Sequence, residues 1–271
     1  MQIHKHYPSI SALIALGCPD GINADQWTEL QTHVPDRSNM DWFGVKGGRE
    51  EVKRIVATGW AEGVKRIFDA LGRMTLSTAT DVRRRRCRGA EGDELDIHRI
   101  WSGRFDSAWS RTHRAQAIAP KHVRIVMQIG ALANVPAERM FWRGAACVAI
   151  ADALEEAGYA VEIMGYSRAL DVYDHTHESC ITFPIKAYEQ PLSVTDVAAT
   201  ACLAGFHRHY IFGARNHCER SCSSGYGQTT VGIPDALMQE DDDPPIHVSL
   251  KDVSSEETCR VFVDAALKPY Q

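Results

Sequence analysis

No window of this 271-residue chain holds the roughly 18 uninterrupted apolar residues that a membrane-spanning helix requires. Its opening residues, Met1-Gln-Ile-His-Lys-His-Tyr-Pro8, lack the apolar core of a secretory signal, and the expectation is a cytoplasmic protein. Excess charge is small. A formal net charge of -5 and a pI near 6.2 exclude a global attraction for nucleic acid or anionic lipid, so a partner of that kind would need a local basic patch. Cysteine is sparse, eight in the whole chain, and Cys147, Cys202 and Cys259 fall in predicted helices. That usage excludes a disulfide framework and fits reduced core residues. The signatures of common catalysts are missing: there is no Gly-x-Ser-x-Gly elbow, no Ser-His-Asp constellation and no phosphate loop. The nearest phosphate-like stretch, Ser223-Ser-Gly-Tyr-Gly227, lacks both the lysine and the preceding strand.

An apolar content of 44% is enough for a real core in one large or two modest domains. The clearest pattern begins at Val123-Arg-Ile-Val-Met-Gln-Ile129, a buried strand. A turn, a long apolar helix over about 136–157 and a second strand at 161–164 follow. This βαβ unit predicts an α/β fold with a mostly parallel central sheet flanked by helices. The helix is apolar on more than one face and must be covered on most sides. Asn134 is a candidate cap and Gly158 a stop. Residues 180–185 read as another strand, placed at a sheet edge because Pro184 cannot donate to a ladder. A helix from Ser193 through Leu203, a strand at 245–250 and a helix capped by Ser254 or Ser255 complete the domain.

Three regions result. Residues 1–80 read as a helical N-terminal region, with one helix capped by Asn23 and two meeting at Gly59-Trp60, the second stopped by Gly72. Residues 81–121 form an Arg-rich and acidic connector, and residues 122–271 carry the α/β domain. In an open sheet the functional crevice lies beyond the carboxyl ends of the strands, here residues 128–134. That stretch has no carboxylate, hydroxyl or thiol. A site position filled with such residues points to binding rather than turnover; no catalytic residue and no cofactor are expected.

Three further groups compete with that reading. His207, His209, His217, Cys218 and Cys222, with Cys202 nearby, are zinc candidates whose spacing matches no standard finger. Asp171, Asp174, His175, His177 and Glu178 gather in a polar loop, where a solvated surface is the simpler account. Arg83, Arg84, Arg85, Arg86 and Arg88 form the basic run of the chain and could contact phosphates with Trp101 and Trp109. The acidic Glu91, Asp93, Glu94 and Asp96 follow at once, and an intramolecular pairing of the two runs explains them better.

The Arg-rich lead-in, then Gly92-Asp-Glu-Leu-Asp-Ile97, then the apolar strand and long helix resemble the von Willebrand factor A-like domains of stand-alone intracellular proteins. That group includes the cobaltochelatase and nitric-oxide-reductase-accessory types, and the resemblance covers residues 83–267. Phe141-Trp-Arg-Gly-Ala-Ala146, Gly158-Tyr-Ala-Val-Glu162 and Gly225-Tyr-Gly227 resemble an uncharacterised branch of phage and mobile-element proteins. The resemblance implies a Rossmann-type fold whose metal-binding members carry Asp-x-Ser-x-Ser after the first strand. The matching positions here are Gln128, Gly130 and Leu132, with Asp252 near a second acidic position. An amide, a hydrogen and an isobutyl group cannot build an octahedral oxygen shell, so the adhesion site is expected to be degenerate and without metal. The expected function is a non-enzymatic protein-interaction module, in the host cytoplasm if phage encoded. Its implied partner is another protein, such as an AAA+ ATPase or a phage or virion component. A nucleic-acid-associated factor using the arginine run, with those arginines as a docking face, and a zinc-binding protein are the alternatives.

Overall fold

The computed structural model describes residues 2–17, 39–73, 86–89, 94–95, 109–112, 121–132, 134–170, 178–218, 228–229, 232–238 and 244–270. The chain opens with strand β1 (Gln2–His6), followed by helices α1 (Ile10–Gly17), α2 (Asn39–Phe43), α3 (Gly48–Thr58) and α4 (Ala61–Arg73). Short strands β2 (Arg86–Gly89), β3 (Glu94–Leu95) and β4 (Trp109–Thr112) come next. Then follow β5 (His122–Gln128), α5 (Ala137–Glu156), β6 (Ala160–Leu170) and β7 (Glu178–Lys186). A broken helix starts as α6 (Val194–Val197), passes through a π turn at Ala198–Cys202 to α7 (Ala204–Phe206) and a second π turn at His207–Ile211, and ends as α8 (Phe212–Cys218). The two-residue β8 (Gln228–Thr229), β9 (Ile246–Val248) and α9 (Glu256–Leu267) complete the order.

The main sheet runs β1-β7-β6-β5-β9. The β1/β7, β6/β5 and β5/β9 pairs are parallel, β6/β7 is antiparallel, and β8 adds an antiparallel pair at the end of β6. The α/β fold with a mostly parallel sheet and a helical N-terminal region is therefore present. Two details differ from expectation. Residues 1–80 are not a separate region, because residues 1–77 and 122–271 form one compact unit and β1 is part of its sheet. Strand β7 is not at the edge, since β1 covers its far side. Pro184 is tolerated for two local reasons. Pairing with β1 reaches only Thr182, and on the β6 side Pro184 meets Met164 where the register shifts. A bulge at that point leaves the ladder without a need for the missing N–H.

Strand alternation explains the layering. Val123, Ile125 and Met127 of β5, Val161 and Ile163 of β6, and Ile181, Phe183 and Ile185 of β7 join one core with the helices. On the opposite face Val126, Met164 and Tyr166 pack with Leu237 in a separate cluster. Helix α5 lies against the sheet and is itself overlaid, so that every residue from Met140 to Ala151 is buried. Close approach requires glycine there, since a Cβ on Gly144 would stand 2.3 Å from Cys202 Sγ. Gly158 ends this helix at φ 92°, as expected, whereas Asn134 does not cap it: the N-cap is Pro136, with no side-chain cap bond. Helix α4 runs one residue past Gly72, and Ser255 caps α9 in a reciprocal box with Thr258. The helix expected after Asn23 falls outside the described residues.

Residues 78–121 form the second unit, a small antiparallel sheet in the order β2-β4-β3. Ser110 of β4 is in register with both Arg88 of β2 and Glu94 of β3. Arg88 and Glu94 thus stand on either side of a shared strand, their backbones roughly 10 Å apart, while Arg83–Arg85, Glu91, Asp93 and Asp96, on which the expected pairing of the two runs also rests, lie outside the described residues.

Candidate functional site

Strand β5 delivers Gln128 to the carboxyl end of the sheet, and Ile129 N still donates to Tyr166 O of β6 at 2.7 Å. The chain then turns, with Val135 N bonded to Leu132 O at 3.1 Å, before α5 begins at Ala137. The Gln128 side chain is buried at 2% exposure, and its Oε1 accepts from Leu250 N at 3.1 Å. That bond ties β5 to the turn after β9. In the same turn Ser249 Oγ donates to Asp252 Oδ2 at 2.5 Å.

Beneath the loop lies a side chain the sequence reading passed over. Arg143 of α5 is fully buried, with Nη1 donating to Gly130 O at 2.9 Å and Nη2 to Ile129 O at 3.1 Å. Its Nε has no hydrogen-bond partner, and no carboxylate pairs with it among the described residues. Burial lowers its pKa to about 10, which leaves the guanidinium charged at neutral pH. Arg208, on the second π turn, donates to Val135 O at the far end of the same loop and to the carbonyls of Asp41 and Trp42. Its guanidinium also stacks 4.1 Å from the Trp42 ring centre. Arg215 of α8 holds Ser167 of β6 through O at 3.2 Å and Oγ at 3.0 Å. Buried guanidiniums thus act as staples on the strand-end backbone. The available signal was an arginine inside an otherwise apolar helix, as in Phe141-Trp-Arg143, where full burial forces the charge to find carbonyl partners.

Gln128, Gly130, Leu132 and Asp252 come together at this end of the sheet through the Gln128–Leu250 bond, but they do not fit a divalent cation. The one buried oxygen donor of Gln128 is taken by a backbone N–H, Asp252 is bonded to Ser249, and Leu132 points out at 43% exposure. The carbonyls of Ile129 and Gly130 already face a positive guanidinium, which repels a second cation in a medium of low dielectric.

The other candidates separate. His207 and His209 are both buried two residues apart on a π turn, a spacing that turns side chains away from each other rather than toward a shared ion. Each packs edge-on to an aromatic, Phe212 and Tyr210. Burial first, then Arg215, Arg208 and Arg143, holds the His207 pKa well below the ordinary histidine range. Cys202 is buried against α5, and burial raises its thiol pKa. The side chains of His217 and Cys218, and all of Cys222, fall outside the described residues. Among the described residues no three His, Cys, Asp or Glu side chains gather as a metal centre. Asp171, Asp174, His175 and His177 also lie outside them, while Glu178 accepts from Arg168. Arg83, Arg84 and Arg85 are outside as well. Arg86 and Arg88 fall in β2 of the second unit.

A polar link the sequence did not suggest joins three segments near this end. The Tyr166 hydroxyl meets His247 Nε2 of β9 at 2.8 Å and accepts from Gly232 N at 3.4 Å. Burial raises the Tyr166 pKa to about 12, so the phenol keeps its proton at neutral pH, and burial lowers that of His247.

Residues 13–269 match a family described as a domain of unknown function, DUF7192. No curated protein and no solved structure matches the chain.

Proposed function

Taking the chain as a member of the DUF7192 family, we propose that it is a non-enzymatic protein-interaction module, a von Willebrand A-like scaffold with a degenerate adhesion site. The observation that carries this reading is the state of the strand end. Where an open α/β sheet places its chemistry, Gln128, Arg143 and Ser249 spend their polar atoms on the protein's own backbone or on Asp252. Outward the loop exposes the apolar Leu132, with Asn134 beyond it, on a backbone held by guanidiniums at both ends. A rigid apolar projection lowers the ordering cost of association. The partner is another protein, of the AAA+ ATPase kind or a phage or virion component as the resemblance implies.

Affinity capture with the full chain and with Leu132→Ser, followed by mass spectrometry, tests the assignment. The expected result is a specific protein held by the natural chain and lost by at least tenfold in Leu132→Ser, with unfolding midpoints unchanged. Excess magnesium or manganese should leave both capture and the unfolding midpoint where they were, because a ligand that does not bind the native state cannot stabilise it. Equal capture by the two chains, or a metal-dependent rise in the midpoint, would overturn the reading.

A further inference from the structure

We propose that His4 and His6 of β1 form a chelating site for a divalent transition metal of the zinc class, at one end of the main sheet and separate from the strand-end loop. Strand alternation puts residues two apart on one face, about 6–7 Å from each other along the chain, a separation from which two imidazoles reach one ion. Strand β1 supplies it, and both histidines are exposed. Their rings already converge: His4 Nε2 lies 3.0 Å and His6 Nδ1 3.1 Å from the same atom, Thr182 Oγ1 of β7. Two nitrogens that share one oxygen partner stand at most about 6 Å apart. Tetrahedral zinc, with Zn–N bonds of about 2.0–2.1 Å, holds its nitrogens about 3.4 Å apart, so each ring needs to move by about 1.4 Å or less.

The surroundings leave both nitrogens available. A threonine hydroxyl has one hydrogen and gives it to one ring only, so the other ring donates to it. A neutral imidazole presents a lone pair at either nitrogen by changing tautomer, with no net loss of a proton. On the same face Cys180 and then Arg168 are in register with His4, and Arg168 is paired with Glu178 at 3.0 Å, which offsets its repulsion of an ion. Imidazole nitrogen suits zinc, nickel and copper, whereas magnesium and manganese prefer oxygen. Two protein ligands leave the remaining positions to water. Chelation needs both rings on one side, which an extended β1 supplies, so the ion favours the paired strand and should raise the unfolding midpoint.

Calorimetric titration of the full chain with zinc tests the site against two near-isosteric variants. His4→Gln and His6→Asn place an amide where the ring nitrogen stood, keeping a hydrogen bond to Thr182 while removing the imidazole lone pair. Zinc should bind the natural chain and raise its unfolding midpoint, with affinity at least tenfold lower in either variant. His122→Gln, which removes an exposed histidine stacked on Tyr188, should leave that affinity unchanged. Magnesium should produce neither heat nor a shift in midpoint. A second measurement needs no variant: zinc should slow the carbethoxylation of His4 and His6 by diethyl pyrocarbonate at least tenfold relative to His122, read by peptide mass spectrometry. Absence of zinc binding, an affinity that survives both variants, an equal loss in His122→Gln, or labelling that zinc does not slow overturns the inference. An ion held instead by residues 217–222 would give the second of these results. The outcome is independent of capture through Leu132, so either proposal can fail alone.

Discussion

Replacing Gly144 by alanine isolates the packing on which the α5 layer depends. In an open helix interior the change would stabilise the fold by about 1 kcal/mol, because alanine restricts the unfolded chain and shields the backbone. Here the new Cβ would meet Cys202 Sγ at 2.3 Å, Cys202 N at 2.8 Å and the carbonyl carbon of Ala201 at 2.9 Å. Reaching ordinary contact near 3.5 Å requires a shift of about 1.2 Å, and two of the three obstacles are backbone. Overpacking of that kind costs about 1–3 kcal/mol net, so the strain itself must reach roughly 2–4 kcal/mol to outweigh the helix gain. Gly72 supplies the control: it lies in the last turn of α4 with nothing within 4 Å of its added Cβ. Gly72→Ala should therefore stabilise by a few tenths up to about 1 kcal/mol. Urea unfolding read by circular dichroism compares the two, and a Gly144→Ala, Cys202→Ala double variant should recover only part of the loss, because the backbone obstacles remain. A Gly144→Ala chain as stable as the natural one would show that α5 and Ala198–Cys202 do not approach as described.

Ser255→Ala removes the side-chain oxygen that accepts from Thr258 N and should cost about 1 kcal/mol, seen as a fall of roughly 2–4 °C in the thermal midpoint; an unchanged midpoint refutes the cap. The pH dependence has a definite sign. His207 has a folded pKa below its unfolded value of about 6.5, so under acid the unfolded chain binds a proton that the folded chain refuses. Stability from this residue is full above about pH 7 and declines as pH drops toward about 5. His207→Phe should flatten that decline in urea midpoints measured across the range, and an unaltered slope would remove the residue from the account.

Much of the architecture was legible because it rests on local pattern. The alternation in 123–129 and the all-round apolar run of α5 gave the strand, the helix and its burial. Glycine conformation marked the ends: Gly59 at φ 91° and Gly158 at φ 92° both follow helices. The errors concern pairing at long range. Pro184 suggested an edge because nothing in residues 180–185 reveals that β1 would dock beside them or that a bulge would excuse the proline. The spacing His207-x-His209 puts both rings on one face only in a strand, and the two π turns that carry this segment leave no simple mark in its residues. At the site, Gln128, Gly130 and Leu132 were located from the strand end alone. Arg143 was missed because an arginine on a buried helix is normally exposed, and its partners are carbonyls that a sequence does not display.

The placement of β1 also bears on how the molecule is made. Its residues are synthesised well ahead of their partner strand, since the bond between His6 and Thr182 spans 176 residues. At typical elongation speeds that interval lasts roughly 10–35 s, during which the five-residue segment has no neighbour to zip against. The border of the sheet is therefore sealed late, by a segment that must wait for its mate, and nascent chains stalled before residue 178 should carry an unfinished, adhesive rim.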